Sequence, residues 1–239
     1  MKKLRDIRIK VFNAGWWFYI LLTVLLLVIL SVTTRSLSYD TRRMILLGVS
    51  ILEYIILRIY KRSLKDIRDD YNFYNELPCY LCNQSTILCV IASLTGKETL
   101  MGYCLTVGVI GALMAIFMPD RYNRDQLLFS KQAFGFYGYH GLLIVTCIGF
   151  YATGLYQPDP KDALWGMVIT FSLAALAHLI NTYLRKSGLN PKANYVFTYE
   201  ADNVLLEILW KVFPVKLFYM IPVLLVFGAV SYIALVLLP

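Results

Sequence analysis

Two cysteines three residues apart, Cys79 and Cys82, stand near the head of the stretch LPCYLCNQST, residues 77–86, and Asn83, Gln84 and Ser85 follow directly. A thiol becomes a useful nucleophile when the positive end of a helix or a neighbouring imidazole favours the thiolate, and Pro78 can begin a helix that carries Cys82 in its first turn. The chain has two histidines, His140 and His178, and either could take the thiol proton. Asn181 or Asn83 could then orient the imidazole or hold the oxyanion of a tetrahedral intermediate. Glu53 adds one more ionisable group inside an apolar stretch, where such groups usually face a cavity or a partner. These residue types together point to nucleophilic acyl transfer. Cys89, Cys104 and Cys147 read as small apolar filler. One CxxC is too few for a structural zinc site, and completing the set with histidines from separate helices lacks local spacing. A redox dithiol would want a second cysteine pair on the oxidising side. No metal and no soluble cofactor is expected.

The elements that must position these groups are membrane helices. Of the 239 residues 59% are hydrophobic and 16% charged, and the mean hydropathy is +0.61. A soluble domain is about 25% charged. Seven stretches approach the roughly 20 apolar residues that a bilayer core requires: 15–34, 43–60, 77–95, 99–118, 132–154, 163–184 and 214–238. Breaks such as QPDPKD and SGLNPKAN supply the turns. The runs are too long for strands and show no period of two, so the expected class is all-α, a polytopic helix bundle. No internal repeat is visible, and the residues left over do not make an extramembrane domain. The N-terminal MKKLRDIRIK leads into an apolar run too long for a signal peptide and reads as the approach to a retained first helix.

The Lys and Arg distribution orients the bundle. With the N-terminus in the cytoplasm, inner segments hold five before the first helix, five around 58–68, three around 121–131 and five from 185 to 216, which is 18 of the 23. The net charge of +8 therefore flanks helices and meets anionic headgroups, and no nucleic-acid partner is expected. Residues 61–76 and 193–213 read as interfacial segments, the first through Leu64, Ile67 and Tyr71 at helical spacing, the second as a short helix capped near Asp202 or Asn203. On this topology Glu53, Cys82, His140 and His178 all fall in the inner half of the bundle. His140 is then roughly 12 Å past the start of its helix and Cys82 roughly 7 Å past Pro78, depths that permit contact between neighbouring helices.

LPCYLCNQSTIL at 77–88, GVIGALMAIFMPD at 108–120, YHGLLI at 139–144, and IN at 180–181 followed by NYVF at 194–197 resemble, in order and spacing, the YwaF-like bacterial membrane proteins. That family is grouped with the animal transmembrane protein 164, a phospholipid acyltransferase. The resemblance runs from about residue 45 to the C-terminus. It implies that Cys82 is the acyl-accepting nucleophile, that His140 is its partner, and that Asn181, Asn194 and Tyr195 occupy polar positions of the family pattern. The pattern commonly reads Leu-Pro-Leu-His-Leu-Cys, whereas Cys79 and Tyr80 stand here where leucine and histidine are usual. If that histidine assists the thiol, His178 is the candidate to replace it.

The combined expectation is a multi-pass plasma-membrane enzyme that moves fatty acyl chains between phospholipids and lysophospholipids through a thioester on Cys82. Its site opens to the inner leaflet beneath residues 193–213. The alternative is a non-enzymatic transporter or membrane scaffold whose polar residues line a substrate path connecting both sides.

Overall fold

The computed structural model describes residues 7–66, 71–120, 122–201 and 204–238. Among them every regular element is helical, apart from one isolated antiparallel bridge between Arg8 and Leu127. The main helices are α1 (Ala14–Thr34), α2 (Tyr39–Ser63), α3 (Leu81–Thr95), α4 (Glu98–Phe117), α5 (Lys131–Ala152), α6 (Asp162–Lys186), α7 (Val204–Val212) and α8 (Ile221–Leu237). Five of the long apolar stretches are long and apolar enough to cross a membrane: α1, α4, α5, α6 and the stretch Phe218–Leu237 that contains α8. The chain is a multi-pass membrane protein. The expected second and third spans are also helices, but α2 is amphipathic with charged ends, and α3 has 15 residues.

Each helix starts and faces as its side chains require. Asn13 caps α1, its side-chain oxygen accepting from the Trp16 amide at 3.0 Å, and Leu21, Val24, Leu25, Val28 and Val32 stand exposed, as a lipid-facing helix demands. α2 buries Leu46, Ser50, Glu53, Leu57 and Tyr60, a four-three repeat that makes one stripe. This stripe packs on α3 and α5, while α1 also packs on α5, and α6 lies against α4 and α8. α5 is therefore central, and His140 is carried on it.

Two of the helices are interrupted by single π turns, Cys104–Gly108 in α4 and Phe134–Gly138 in α5. A π turn adds a residue to one helical turn and rotates everything after it. Close packing fits the second one: a Cβ on Gly135 would come within 2.6 Å of Tyr60, so only glycine lets α5 approach α2 there.

The two ends of the bundle are separately tied. At one end the Trp16 indole donates to Ile116 O at 3.1 Å, Tyr60 donates to Asn123 at 2.9 Å and Asn72 donates to Leu189 O at 3.0 Å. At the other, Arg42 donates to Thr153 O and Tyr156 donates to Asp162 at 2.6 Å.

Several local expectations are corrected. α3 begins at Leu81 with Tyr80 as its N-cap residue, so Pro78 does not begin the helix and Cys79 also precedes it. Residues 61–76 do not form one helix: α2 ends at Ser63, and short 3-10 turns follow at Leu64–Asp66 and Phe73–Glu76, with Ile67 outside the described residues. Residues 193–213 divide into a 3-10 turn at Tyr195–Phe197 and α7, whose expected caps at Asp202 and Asn203 also lie outside them. The last helix proper starts at Ile221, with Pro222 in its first turn, rather than at 214.

Candidate active site

The chemistry-bearing residues form two groups. The first surrounds the start of α3. Cys82 is its second residue and is the one cysteine of five that is not buried. Tyr80 gives no side-chain cap, and its carbonyl accepts from the Gln84 amide at 3.0 Å, so among the described residues the amides of Leu81, Cys82 and Asn83 take no backbone acceptor, and the Cys82 amide is turned toward its own sulfur. These N–H groups and the helix dipole make the space beside Cys82 favourable to negative charge.

A chain of hydrogen bonds runs from this point into the core. The Asn83 amide donates to the Tyr139 hydroxyl at 3.3 Å, Tyr139 lies 2.9 Å from Thr86 Oγ1, and Thr86 donates to Glu53 Oε1. Thr146 donates to the other Glu53 oxygen at 3.2 Å. Glu53 is fully buried, and no salt bridge reaches it among the described residues. It therefore anchors α2 to α3 and α5 through hydroxyl donors. The oxygens of Asn83 and Gln84 are buried and take no donor among the described residues. Buried amide oxygens are rarely left so unless a further group is to come.

His140 follows the π turn of α5 and is 6% exposed. Its Nδ1 is 2.7 Å from the carbonyl oxygen of Phe136. A carbonyl can only accept, so Nδ1 carries the proton and Nε2 keeps its lone pair. The π turn thus holds the imidazole as the tautomer that a general base needs. No hydrogen bond joins Cys82 to His140 or His178 among the described residues.

The second group is a clamp between α6 and residues 194–200. Asn181 is fully buried, and its amide donates to Tyr195 O at 3.0 Å and Thr198 Oγ1 at 2.9 Å while accepting from Tyr195 N at 2.9 Å. His178 Nδ1 is 3.1 Å from the same Thr198 oxygen, and its ring stacks on Tyr199. Asn194 accepts from the amides of Tyr199 and Glu200 and donates to Glu200 O, closing the loop on itself. The Tyr195 hydroxyl donates to Tyr74 O, and burial pushes this phenol above its ordinary value, so it stays a donor. The groups meet at Tyr80, whose ring lies 5.2 Å from that of Tyr195, two residues before Cys82. Cys79 packs on this side, with Ala177 and Tyr195.

A model of the TMEM164 family matches residues 11–234. The chain belongs to the TMEM164 family. No curated protein and no solved structure matches it. Family membership thus reaches back through α1 and all of α2, well before residue 45, where the resemblance of the motifs began. It agrees with the helical membrane architecture, and every residue of both groups lies inside the matched region.

Three members of the first group were not visible beforehand: Thr86, Tyr139 and Thr146. Thr86 lies one turn after Cys82, its Oγ1 3.1 Å from the Cys82 carbonyl oxygen, and Tyr139 adjoins His140. Spacing from the two candidates was the available signal.

Val196 and Phe197 have φ of 53° and 56°, a region unfavourable to residues with a side chain, and the Asn181 bonds hold them there. Asn181→Ala leaves Tyr195 N without its buried acceptor, which costs roughly 1–3 kcal/mol. A lower melting temperature by circular dichroism is expected, and an unchanged one would contradict the clamp.

Proposed function

We propose that the protein is a seven-span membrane acyltransferase, with α2 and α3 completing the spans and the N-terminus in the cytoplasm, and that Cys82 carries the acyl chain as a thioester. The reading rests above all on Cys82, the one incompletely buried cysteine, at a helix start whose amides lack backbone acceptors.

In the first half-reaction His140 Nε2 takes the Cys82 proton as Sγ bonds to the ester carbonyl carbon of a phospholipid. The oxyanion that forms is met by the amides at the start of α3. Collapse breaks the ester C–O bond, and the leaving lysophospholipid oxygen takes the proton from His140. In the second half-reaction a different lysophospholipid hydroxyl attacks the thioester, His140 receives its proton, and the thiolate leaves and is reprotonated. The unpartnered oxygens of Asn83 and Gln84 are suited to the acceptor's hydroxyls. Asn181, Asn194, Tyr195 and His178 position residues 194–200 over the approach to α3, on the inner-leaflet side of the plasma membrane. Glu53 holds the α3 end in register. Reaction needs Cys82 and His140 to come within reach as substrate binds, an approach common in sites that tighten on their substrate.

The test is transfer of a labelled acyl chain from a phospholipid to an added lysophospholipid by the purified protein in nanodiscs. Label appearing in the acceptor is expected; label that stays wholly in the donor contradicts the reading. A second experiment checks the side. Cysteines engineered at the exposed positions Ser38 and Asp159 are expected to react with a membrane-impermeant maleimide in intact cells, and one at exposed Ser187 only after lysis. The reverse pattern would overturn the orientation. Exclusive labelling of Cys79 by a thioester-forming acyl donor would move the nucleophile out of the helix.

A further inference from the structure

Three of the five cysteines take no part in the proposed transfer. Cys89 on α3, Cys104 on α4 and Cys147 on α5 come from three separate helices, and each is 0% exposed. Their sulfurs lie within 4.8 Å of one another, with Cys89 Sγ 3.6 Å from both of the others. Small apolar filler accounts for their burial and not for their convergence. The backbone also makes room for them. Cys104 opens the π turn Cys104–Gly108, and a Cβ on Gly108 at its far end would come within 2.8 Å of Cys147 Sγ. The helix widens at one sulfur and gives up a side chain at another.

We infer that Cys89, Cys104 and Cys147 form a binding site for a soft monovalent metal ion, Cu(I). Three thiols with no nitrogen or oxygen in the set select a soft ion over magnesium or calcium. Metal–sulfur bonds of about 2.3 Å in a trigonal plane put the sulfurs about 4 Å apart, close to the spacing found. Zinc would want a fourth ligand, and the nearby carboxylate of Glu53 is held by Thr86 and Thr146. The thiolate is the ligand, so loading with Cu(I) displaces thiol protons, and the apparent affinity is expected to rise with pH. Cys89 lies seven residues, two helical turns, after Cys82, so the ion would pin the helix that presents the nucleophile to α4 and α5. The site stands whether or not Cys82 transfers acyl groups.

The full-length protein, reduced and held anaerobically in detergent, is titrated with Cu(I) against bicinchoninate, and the loaded protein is examined by X-ray absorption. One ion per chain with three sulfur neighbours is expected, with a raised melting temperature. Cys89→Ala, Cys104→Ala and Cys147→Ala are each expected to weaken binding at least tenfold, whereas Cys79→Ser and Cys82→Ser leave it unchanged. Melting of each variant without metal establishes that it is folded, and alanine keeps the site apolar if serine does not fold. Binding that survives all three alanine variants, or is lost with Cys79 or Cys82, overturns the site. Zinc retained in preference to copper and released by Glu53→Gln overturns the choice of ion.

Discussion

Cys82→Ser is expected to abolish acyl transfer, by at least about a thousandfold, while the protein stays folded. The change removes little volume, and Cys82 is only partly buried. What it removes is the sulfur nucleophile, since an alkoxide is far harder to generate than a thiolate. Cys79→Ala is expected to leave most of the activity, because Cys79 precedes α3 and is buried against Ala177 and Tyr195. Transfer rates measured in nanodiscs for the two variants decide between them. Full activity in Cys82→Ser with loss in Cys79→Ala would place the nucleophile before the helix. Full activity in both would end the thioester account.

The second large effect is expected at His140. His140→Ala removes the general base, a loss typically worth about a hundred- to ten-thousandfold. Because Nδ1 is engaged by Phe136 O, only Nε2 is free to exchange protons with Cys82 and the two lysophospholipid oxygens. His140→Gln is expected to be as slow as alanine: its amide can donate a hydrogen bond but cannot take up a proton. Single-turnover acylation followed by quenched mass spectrometry isolates this step from product release. Acylation at the native rate in both variants would remove His140 from the mechanism.

The apolar runs that became α1, α4, α5 and α6 were legible because uninterrupted hydrophobic sequence of bilayer length has few alternatives. The start of α3 was not. Pro78 looked like a first helical residue, but the chain turns into the helix three residues later at a tyrosine that supplies no side-chain cap, so no capping signal marks the boundary. Depth along the helices could be counted from the sequence, and that count is what brought Glu53, Cys82, His140 and His178 together as candidates. Azimuth could not, because the π turns in α4 and α5 rotate the residues that follow them, and no residue pattern marks where such a turn falls. That is why one set of candidates separates into two, with Asn181 and His178 holding residues 194–200 and His140 held by its own helix. Thr86, Tyr139 and Thr146 escaped notice because hydroxyls are common in membrane helices, and only a buried carboxylate shows which of them have partners.

Intact-mass analysis of the purified protein after incubation with a phospholipid of defined acyl composition tests the covalent step most directly. The account predicts one added acyl mass per chain, removed by neutral hydroxylamine as a thioester is, mapped to Cys82 by proteolysis, and absent from Cys82→Ser. An unmodified mass under conditions where labelled lipid is being remodelled, or an adduct that persists in Cys82→Ser, would contradict it.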